Sequence, residues 1–193
     1  PTAFAEHEGE LWWLVLEETI RTQRSVTARI GGGIVHFDCS TASLKNEAWG
    51  EIYWHLRSQP ETELRAYVRD LAERHGIDFR ETCRKLCMDW DELAALGRDP
   101  LVTFGAHTVS HIMLAKYPDD VARQEMLTSR EVIEARLGRP IRHFAYPVGD
   151  ATSAGPREFA LARDLGFATA VTTRPGLVYA EHRDHLTALP RVS

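Results

Sequence analysis

Hydrophobic residues recur every three or four positions through the first half of the chain, which is the period of helices that bury one face. The stripes between residues 9 and 97 are Leu11, Val15 and Leu16; Leu44, Ala48, Ile52 and Leu56; and Leu64, Val68 and Leu71. Residues 26–30 and 34–37 interrupt this pattern with strand-like runs on either side of three glycines. We therefore predict a mostly helical segment that contains one β-hairpin.

The pattern changes after residue 100 to an alternation of short apolar runs and helical stretches. A helix is predicted from Pro118 to Leu137, ended by Gly138, and a second helix begins at Pro156 and ends at Gly166. The predicted strands cover residues 101–104, 142–146, 167–172 and 186–190. This alternation predicts an α/β fold with a parallel sheet and crossover helices, either open or closed into a barrel.

Composition and charge favour a globular domain over a nucleic-acid-binding or membrane-spanning protein. The 193 residues are 44% hydrophobic and 26% charged, which fits one globular domain with a sizeable core. A net charge of -5 and a pI near 6.0 argue against nucleic acid as the main partner. No apolar run approaches the roughly 20 residues that a membrane-spanning helix needs.

The cysteine content bears on the compartment. Cys39, Cys83 and Cys87 form no paired framework, so a disulfide-stapled fold is not expected and a reducing compartment is favoured. The first residues also lack the basic and apolar regions of a signal peptide, and together these features favour a cytoplasmic location. A metal bound by Cys83 and Cys87 would need two further ligands, so we expect ordinary buried thiols.

Three polar loops follow the predicted strands and are expected to meet. His107 and His111 come after the first strand, residues 146–150 after the second, and residues 172–176 after the third. In parallel α/β folds the active site lies beyond the carboxyl ends of the strands. The sequence therefore predicts a site in which these three loops come together.

The histidine pair is the strongest candidate for chemistry. Two imidazoles at positions i and i+4 of a helical turn present their rings to one point, and imidazole nitrogen suits zinc and related metals. The alternative is that one histidine is a core or capping residue and the other is solvated. No carboxylate near the pair in the sequence fills the place of a third ligand or of a base. His7, His36, His55, His75 and His143 are expected to be surface or packing residues.

Residues 107–111, His-Thr-Val-Ser-His, resemble the His-Ser/Thr-x-x-His metal motif of the polysaccharide deacetylases. These enzymes form the carbohydrate esterase group (family 4) that shares the chitooligosaccharide deacetylase homology domain. Further segments occur in the family's order at residues 90–93, 144–149 and 166–173. The resemblance extends from residue 88 to residue 191, about half of the chain, so residues 98–193 would carry the metal motif and residues 9–97 would form a helical insertion in a single domain.

The resemblance implies a distorted (β/α) barrel and a divalent metal, most commonly zinc, held by one Asp and two His. A water activated by the metal attacks the acetamide of an N-acetylated sugar, and removal of O-acetyl groups is compatible with the same chemistry. A second Asp acts as the base, a backbone N–H stabilises the oxyanion together with the metal, and an acid protonates the leaving amine. The expected partner is thus an acetylated polysaccharide or oligosaccharide.

The family roles transfer onto matching positions of this chain. His107 and His111 would be the two histidine ligands. The backbone N–H of Val148 would be the oxyanion donor, and Tyr146 and Pro147 would contact the substrate.

The sequence also departs from the family pattern. The Asp-Asp motif has no counterpart, because Asp119–Asp120 looks like the start of a helix. Ala145 stands where many members have an arginine that orients the base. Residues 186–191 lack the Leu-x-His that usually provides the acid, which leaves His182 and His185 as weak substitutes.

About four predicted strands are fewer than the seven or eight of a closed barrel. We therefore expect the chain to be the later portion of a longer deacetylase, without the first strands and their Asp pair. Such a chain would bind metal weakly, and its open sheet edge would favour pairing with a second copy.

The competing hypothesis is a non-catalytic carbohydrate-binding or regulatory protein on a deacetylase fold. Aromatic side chains suited to stacking on sugar rings are Trp12, Trp13, Trp49, Trp54 and Trp90. Their helical spacing is more typical of core positions. A third hypothesis, a structural zinc site, requires four ligands. The sequence does not identify the sugar.

Overall fold

The computed structural model describes residues 1–192. Its helices and strands, in chain order, are α1 (Thr2–Ala5), α2 (Trp12–Thr22), β1 (Ser25–Ile30), β2 (Gly33–Asp38), α3 (Ala42–Ser58), α4 (Glu61–His75), α5 (Phe79–Leu86), α6 (Trp90–Leu96), α7 (Asp119–Leu137), β3 (His143–Ala145), α8 (Pro156–Asp164), β4 (Thr169–Pro175) and β5 (Leu189–Arg191). Short 3₁₀ turns occur at Leu114–Lys116 and Ala180–Asp184. The chain divides into a helical unit, Glu10–Leu86, and an α/β unit formed by Pro1–Gly9 and the chain from Cys87 onward.

The helical unit follows the predicted hydrophobic stripes. Helices α2, α3 and α4 pack together, and Leu16, Ile52 and Leu64 are fully buried among them. Strands β1 and β2 pair in antiparallel register, which confirms the predicted hairpin. Gly31 and Gly32 adopt positive φ values of 60° and 81° at its turn, as tight hairpin turns require.

The α/β unit contains a parallel sheet in the order β3-β4-β5. Ala106 adds one bridge to Phe144 on the free side of β3. The parallel sheet confirms the α/β prediction, and three of the predicted strands are present within a few residues of their expected positions. Among residues 1–192 this sheet does not close into a barrel.

The strand predicted over residues 101–104 is wrong. Asp99 organises a turn there, because its carboxylate accepts the N–H of Leu101 and its carbonyl accepts the N–H of Val102. Leu101 is consequently 91% exposed. Residues 101–104 are mostly apolar, but the hydrogen bond to the Asp99 side chain competes with the backbone hydrogen bonds of a β-strand.

Two helices cover one face of the parallel sheet and end where the sequence predicts. Gly138 has φ 64° and terminates α7, and Pro156 occupies the first turn of α8. The core beneath them is formed by Ala106, Ile112, Leu114, Ala122, Met126, Ile141, Phe144, Tyr146, Ala154, Leu161, Ala162, Phe167 and Ala170. This packing holds β3 and β4, and therefore the loops that follow them, in fixed positions.

The cysteines and tryptophans have mostly structural environments. The three cysteines form no disulfide within the described residues; Cys39 and Cys83 are buried, in agreement with the prediction, and Cys87 is half-buried. Trp12 is in the core, whereas Trp54 is 61% exposed. No helix within the described residues is both long and apolar enough to cross a membrane.

Replacement of Met126 by Ala tests the core of the α/β unit. Met126 is fully buried, so Met126→Ala is expected to lower the free energy of unfolding by about 2–5 kcal/mol through lost burial and a cavity. Urea denaturation measures the loss. Arg123→Ala, at an exposed position of the same helix, is the control and should change stability by no more than about 0.5 kcal/mol. Equal stability of the two variants would contradict this packing.

Candidate functional site

Two of the predicted loops meet at the carboxyl ends of the parallel strands. The N–H of Tyr146 donates to the carbonyl of Val171, which continues the pairing of β3 with β4. The N–H of Thr173 then donates to the carbonyl of Gly149, so the loop after β3 is bonded to the end of β4. His107 follows Ala106 at the same edge.

The rings of His107 and His111 lie side by side, with centroids 4.9 Å apart and planes at 79°. The expected helical turn is wrong, because residues 107–111 form an irregular loop. Thr108 and His111 adopt positive φ values of 62° and 57°, which turn the backbone back on itself. The loop thus brings the rings together without a helix.

A hydrogen bond to β3 fixes the ring of His107. Nδ1 lies 2.7 Å from the carbonyl oxygen of Ala145, so Nδ1–H is the donor and the lone pair is on Nε2. Burial lowers the pKa of His107 to about 4, and the bond to Ala145 opposes this shift only in part. The imidazole is therefore neutral at pH 7, which is the state that binds a metal.

His111 is held by one contact of its backbone and one contact of its ring. Its backbone N–H donates to the hydroxyl oxygen of Thr108 at 3.0 Å. Its ring stacks on Phe4 with a centroid separation of 5.9 Å and an interplanar angle of 17°. These contacts restrict the motion of the second imidazole.

Glu125 fixes the middle of the loop. A single oxygen, Oε2, accepts the backbone N–H groups of Val109 at 2.8 Å and of Ser110 at 3.0 Å. Hydrogen bonds to a carboxylate are stronger than those between neutral groups. Sequence reasoning missed this residue because its partners lie 15 and 16 positions away along the chain, and no local pattern reports such a contact.

Val148 is the central residue of a three-residue turn in the loop that follows β3. Its φ is 61°, an unusual value for a β-branched residue, and the N–H of Gly149 donates to the carbonyl of Pro147 at 2.6 Å. The hydroxyl of Thr173 donates to the carbonyl of Val148 at 2.6 Å. The N–H of Val148 donates to no group within residues 1–192, so it remains available to an acceptor.

A Cβ at position 149 would lie 2.7 Å from the backbone nitrogen of Thr173, which is why glycine is required there.

The residues expected to contact the substrate are buried. Tyr146 is 2% exposed, and its hydroxyl donates to the carbonyl of Thr187 at 2.7 Å. Pro147 is also buried. The side chains of these two residues therefore pack beneath the loop, and contact of the two residues with a substrate stays a prediction.

The alternative acids lie away from the histidine pair. His182 belongs to the 3₁₀ turn Ala180–Asp184, and its Nδ1 accepts the N–H of Tyr179. His185 lines a groove of about 440 Å³ together with Phe167 and Ala168, which precede β4. This groove is at the amino end of the strand, opposite to the histidine loop. The structure therefore gives neither histidine a place in the site.

The two imidazoles fit a metal as part of a ligand set. One ring has a defined free Nε2, both rings are held close together, and imidazole suits zinc and its neighbours. Within residues 1–192 no group of three or more His, Cys, Asp or Glu side chains could hold a metal. Asp119 and Asp120 begin α7, as predicted, and Asp119 pairs with Arg157 at 3.1 Å. The described residues thus supply two ligands and not a complete centre.

The chain matches one family model and is similar to several solved structures. The family model "Polysaccharide deacetylase" matches residues 46–170, about two thirds of the chain. Among solved structures, the chain is similar to the Streptococcus pyogenes deacetylase PplD in complex with acetate, with 25% identity and a TM-score of 0.49. That similarity covers 54% of this chain and 44% of the other. No curated protein matches the chain.

The chain is also similar to two further solved structures. A polysaccharide deacetylase from Bacillus cereus has 22% identity and a TM-score of 0.48, over 55% of this chain and 32% of the other. The BpsB deacetylase domain from Bordetella bronchiseptica has 18% identity and a TM-score of 0.47, over 60% and 50%. The chain therefore spans half or less of the length of each of these proteins.

Replacement of Glu125 tests how the histidine loop is held. Glu125→Ala removes the acceptor of two amides, so hydrogen exchange at Val109 and Ser110 is expected to accelerate by roughly tenfold or more. Glu125→Gln keeps a neutral acceptor and should give an intermediate rate. Exposed Glu131 on the same helix provides the control, since Glu131→Ala should leave both amides unchanged. Unchanged protection in Glu125→Ala would show that the loop is held by other contacts.

The pH dependence of stability tests the buried state of His107. An unfolded histidine titrates near 6.5 and the folded one near 4, so the unfolded chain binds an additional proton between these values. Stability should therefore be full above about pH 6.5 and decrease as the pH falls towards 4. His107→Gln should remove this part of the slope in urea denaturation with a chelator present, whereas His143→Gln should retain it. An identical slope in His107→Gln would refute the assignment.

Proposed function

Because the chain belongs to the polysaccharide deacetylase family, we propose that it supplies the histidine ligands of a metal-dependent hydrolase that removes acetyl groups from a polysaccharide or oligosaccharide. The reaction is N-deacetylation, with O-deacetylation compatible with the same site. The observation that carries the proposal is the pair of imidazoles with ring centroids 4.9 Å apart, of which His107 is neutral at pH 7 and has a free Nε2. This arrangement is suited to a divalent cation, for which zinc is the best candidate.

Each residue of the site has a proposed task. His107 and His111 hold the cation, which when bound activates water and polarises the acetyl carbonyl. Ala145 keeps His107 in the tautomer that binds through Nε2. Glu125 keeps the loop between the two histidines in its turned conformation.

Val148 provides the proposed oxyanion donor. Its N–H is free of partners within the described residues, and its peptide orientation is fixed by the bond from Thr173 to the Val148 carbonyl. A donor that is already oriented loses little free energy to reorganisation when charge develops on the substrate oxygen. The side chain of Val148 plays no part in this role.

We also propose that the α/β unit is a partial barrel of the deacetylase type. The open three-stranded sheet and the two-ligand site support this. The missing elements are the first strands of the barrel and the Asp pair, which would add the third ligand and the general base. Two imidazole ligands bring no negative charge to balance that of the ion and are not expected to accept a proton from the water, so this chain alone is expected to show little hydrolysis.

The non-catalytic alternative differs from this proposal in what the histidines do. A protein that only binds carbohydrate would keep its glycan affinity when His107 is replaced. Exposed Trp54 is a side chain suited to such binding. No specific contact in the site favours the alternative.

Zinc titration of the chain tests the proposal. His107→Ala and His111→Ala are each expected to lower zinc affinity by more than about 100-fold, because loss of an outer hydrogen-bond partner alone costs roughly 10–100-fold. His143→Ala, in β3 of the same unit, is the matched control. Acetate release from N-acetylglucosamine oligomers should then appear when the chain is expressed with an Asp-Asp strand preceding it. Equal zinc affinity in all variants, or retained glycan binding without any zinc dependence, would favour the non-catalytic alternative.

A further inference from the structure

Residues 1–9 are folded onto the histidine loop. The backbone N–H of Thr2 donates to the carbonyl of Thr108 at 3.2 Å. The backbone N–H of Ala3 donates to the carbonyl of Val109 at 3.1 Å. These donors belong to α1, which also contacts α7. The loop is therefore attached to the backbone of α1 as well as to the carboxylate from α7.

Phe4 makes the contact between this segment and the histidine pair. Its ring stacks on that of His111, with centroids 5.9 Å apart and planes at 17°. Phe4 is only 7% exposed, and a Cβ at position 9 would lie 1.7 Å from its Cδ1. Only glycine at that position therefore leaves room for the ring. Aromatic rings at this separation attract each other in stacked geometry, so Phe4 favours one orientation of the imidazole.

Glu6 anchors the same segment to two helices. One oxygen, Oε1, accepts the indole N–H of Trp90 at 2.6 Å and the guanidinium of Arg136 at 2.8 Å. Arg136 also lies over the ring of Trp90, 5.6 Å from its centroid. Within residues 1–192 Glu6 has no hydrogen bond to either histidine. The segment is thus held at two points, by Phe4 on the imidazole and by Glu6 on α6 and α7.

The orientation of a ligand before the metal arrives affects how tightly the metal binds. A side chain that must be ordered on binding costs free energy, and a ring that the protein already holds in place costs less. Residues that orient a metal ligand consequently affect the affinity without touching the metal. The bond to Ala145 provides this order for His107, and stacking on Phe4 provides it for His111.

We propose that Phe4 is a positioning residue for the metal ligand His111, and that docking of residues 1–9 and binding of the cation stabilise each other. The inference rests on the proposed function, because it takes His111 as a ligand. Coupling between two equilibria is reciprocal. The factor by which the docked segment raises the affinity for the cation is therefore the factor by which the cation stabilises docking.

Zinc titration of the 193-residue chain tests the proposal. Phe4→Leu keeps an apolar side chain and removes the ring, so zinc affinity is expected to fall roughly tenfold, as when a residue that orients a ligand is replaced. Glu6→Ala removes the acceptor that attaches the segment to α6 and α7. It should lower zinc affinity by a smaller factor, although Glu6 does not touch a histidine.

Two control variants separate positioning from charge and from general stability. Glu8→Ala removes the same charge as Glu6→Ala from an exposed position of the same segment, and it should bind zinc as the unmodified chain does. Phe167→Leu removes a ring that is 4% exposed from the core of the same unit. It should lower the melting temperature and leave zinc affinity unchanged.

Measurements without metal examine the ring of His111 directly. Its NMR order parameter is expected to fall in Phe4→Leu and to stay unchanged in Phe167→Leu, because a general loss of stability does not free this ring. Hydrogen exchange at Ala3 gives the reciprocal test, since its N–H bonds to the loop. Zinc should slow this exchange by about the factor by which Phe4→Leu weakens zinc binding.

Three outcomes overturn the proposal: zinc affinity in Phe4→Leu equal to that of the unmodified chain, an equal loss in Glu8→Ala or Phe167→Leu, or an unchanged order parameter of the His111 ring in Phe4→Leu. Zinc binding that does not depend on Phe4 would leave the proposed function in place and reject this inference. Absence of zinc binding in the unmodified chain would reject the proposed function and the coupling together. A lowered order parameter in Phe4→Leu would then still support Phe4 as the residue that orients His111.

Discussion

The hydrogen bond from Nδ1 of His107 to the carbonyl of Ala145 is the interaction on which the site depends. It connects an irregular loop to a strand of the sheet, and it determines which nitrogen of the ring carries the lone pair. The bond can form only because Ala106 pairs with Phe144, which places the following residue beside the end of β3. The core under Phe144 holds that strand, so the orientation of one imidazole follows from the packing of α7 and α8 against the sheet.

Backbone strain is concentrated around this bond. Thr108, His111 and Val148 all have positive φ values, although none is glycine. Such conformations cost roughly 1–3 kcal/mol each and persist only where other contacts enforce them. Here the enforcing contacts are the carboxylate of Glu125 on the histidine loop and the hydroxyl of Thr173 on the carbonyl of Val148. Two of these strained positions, His111 and Val148, present an imidazole and an N–H without a partner among the described residues.

The sequence predicted those parts of the fold whose signals are local. Gly138 and Pro156 delimit helices by their own backbone preferences, and the glycine turn specifies the hairpin. The sequence predicted correctly that the two histidines are close together, but it predicted a helical turn where the structure has a loop. A spacing of four residues does not distinguish a helix from a loop that distant contacts hold in place. The prediction of a strand at residues 101–104 was wrong because the N–H of Leu101 donates to the carboxylate of Asp99 and holds a turn there, although the residues are apolar.

Long-range contacts account for the features that the sequence did not predict. The bonds between Glu125 and the loop have no signature in either segment, and the hydroxyl of Tyr146 donates to the carbonyl of Thr187, 41 positions along the chain. A sequence motif identifies candidate metal ligands such as His107 and His111. The residues that orient them become visible only when the strands are assembled.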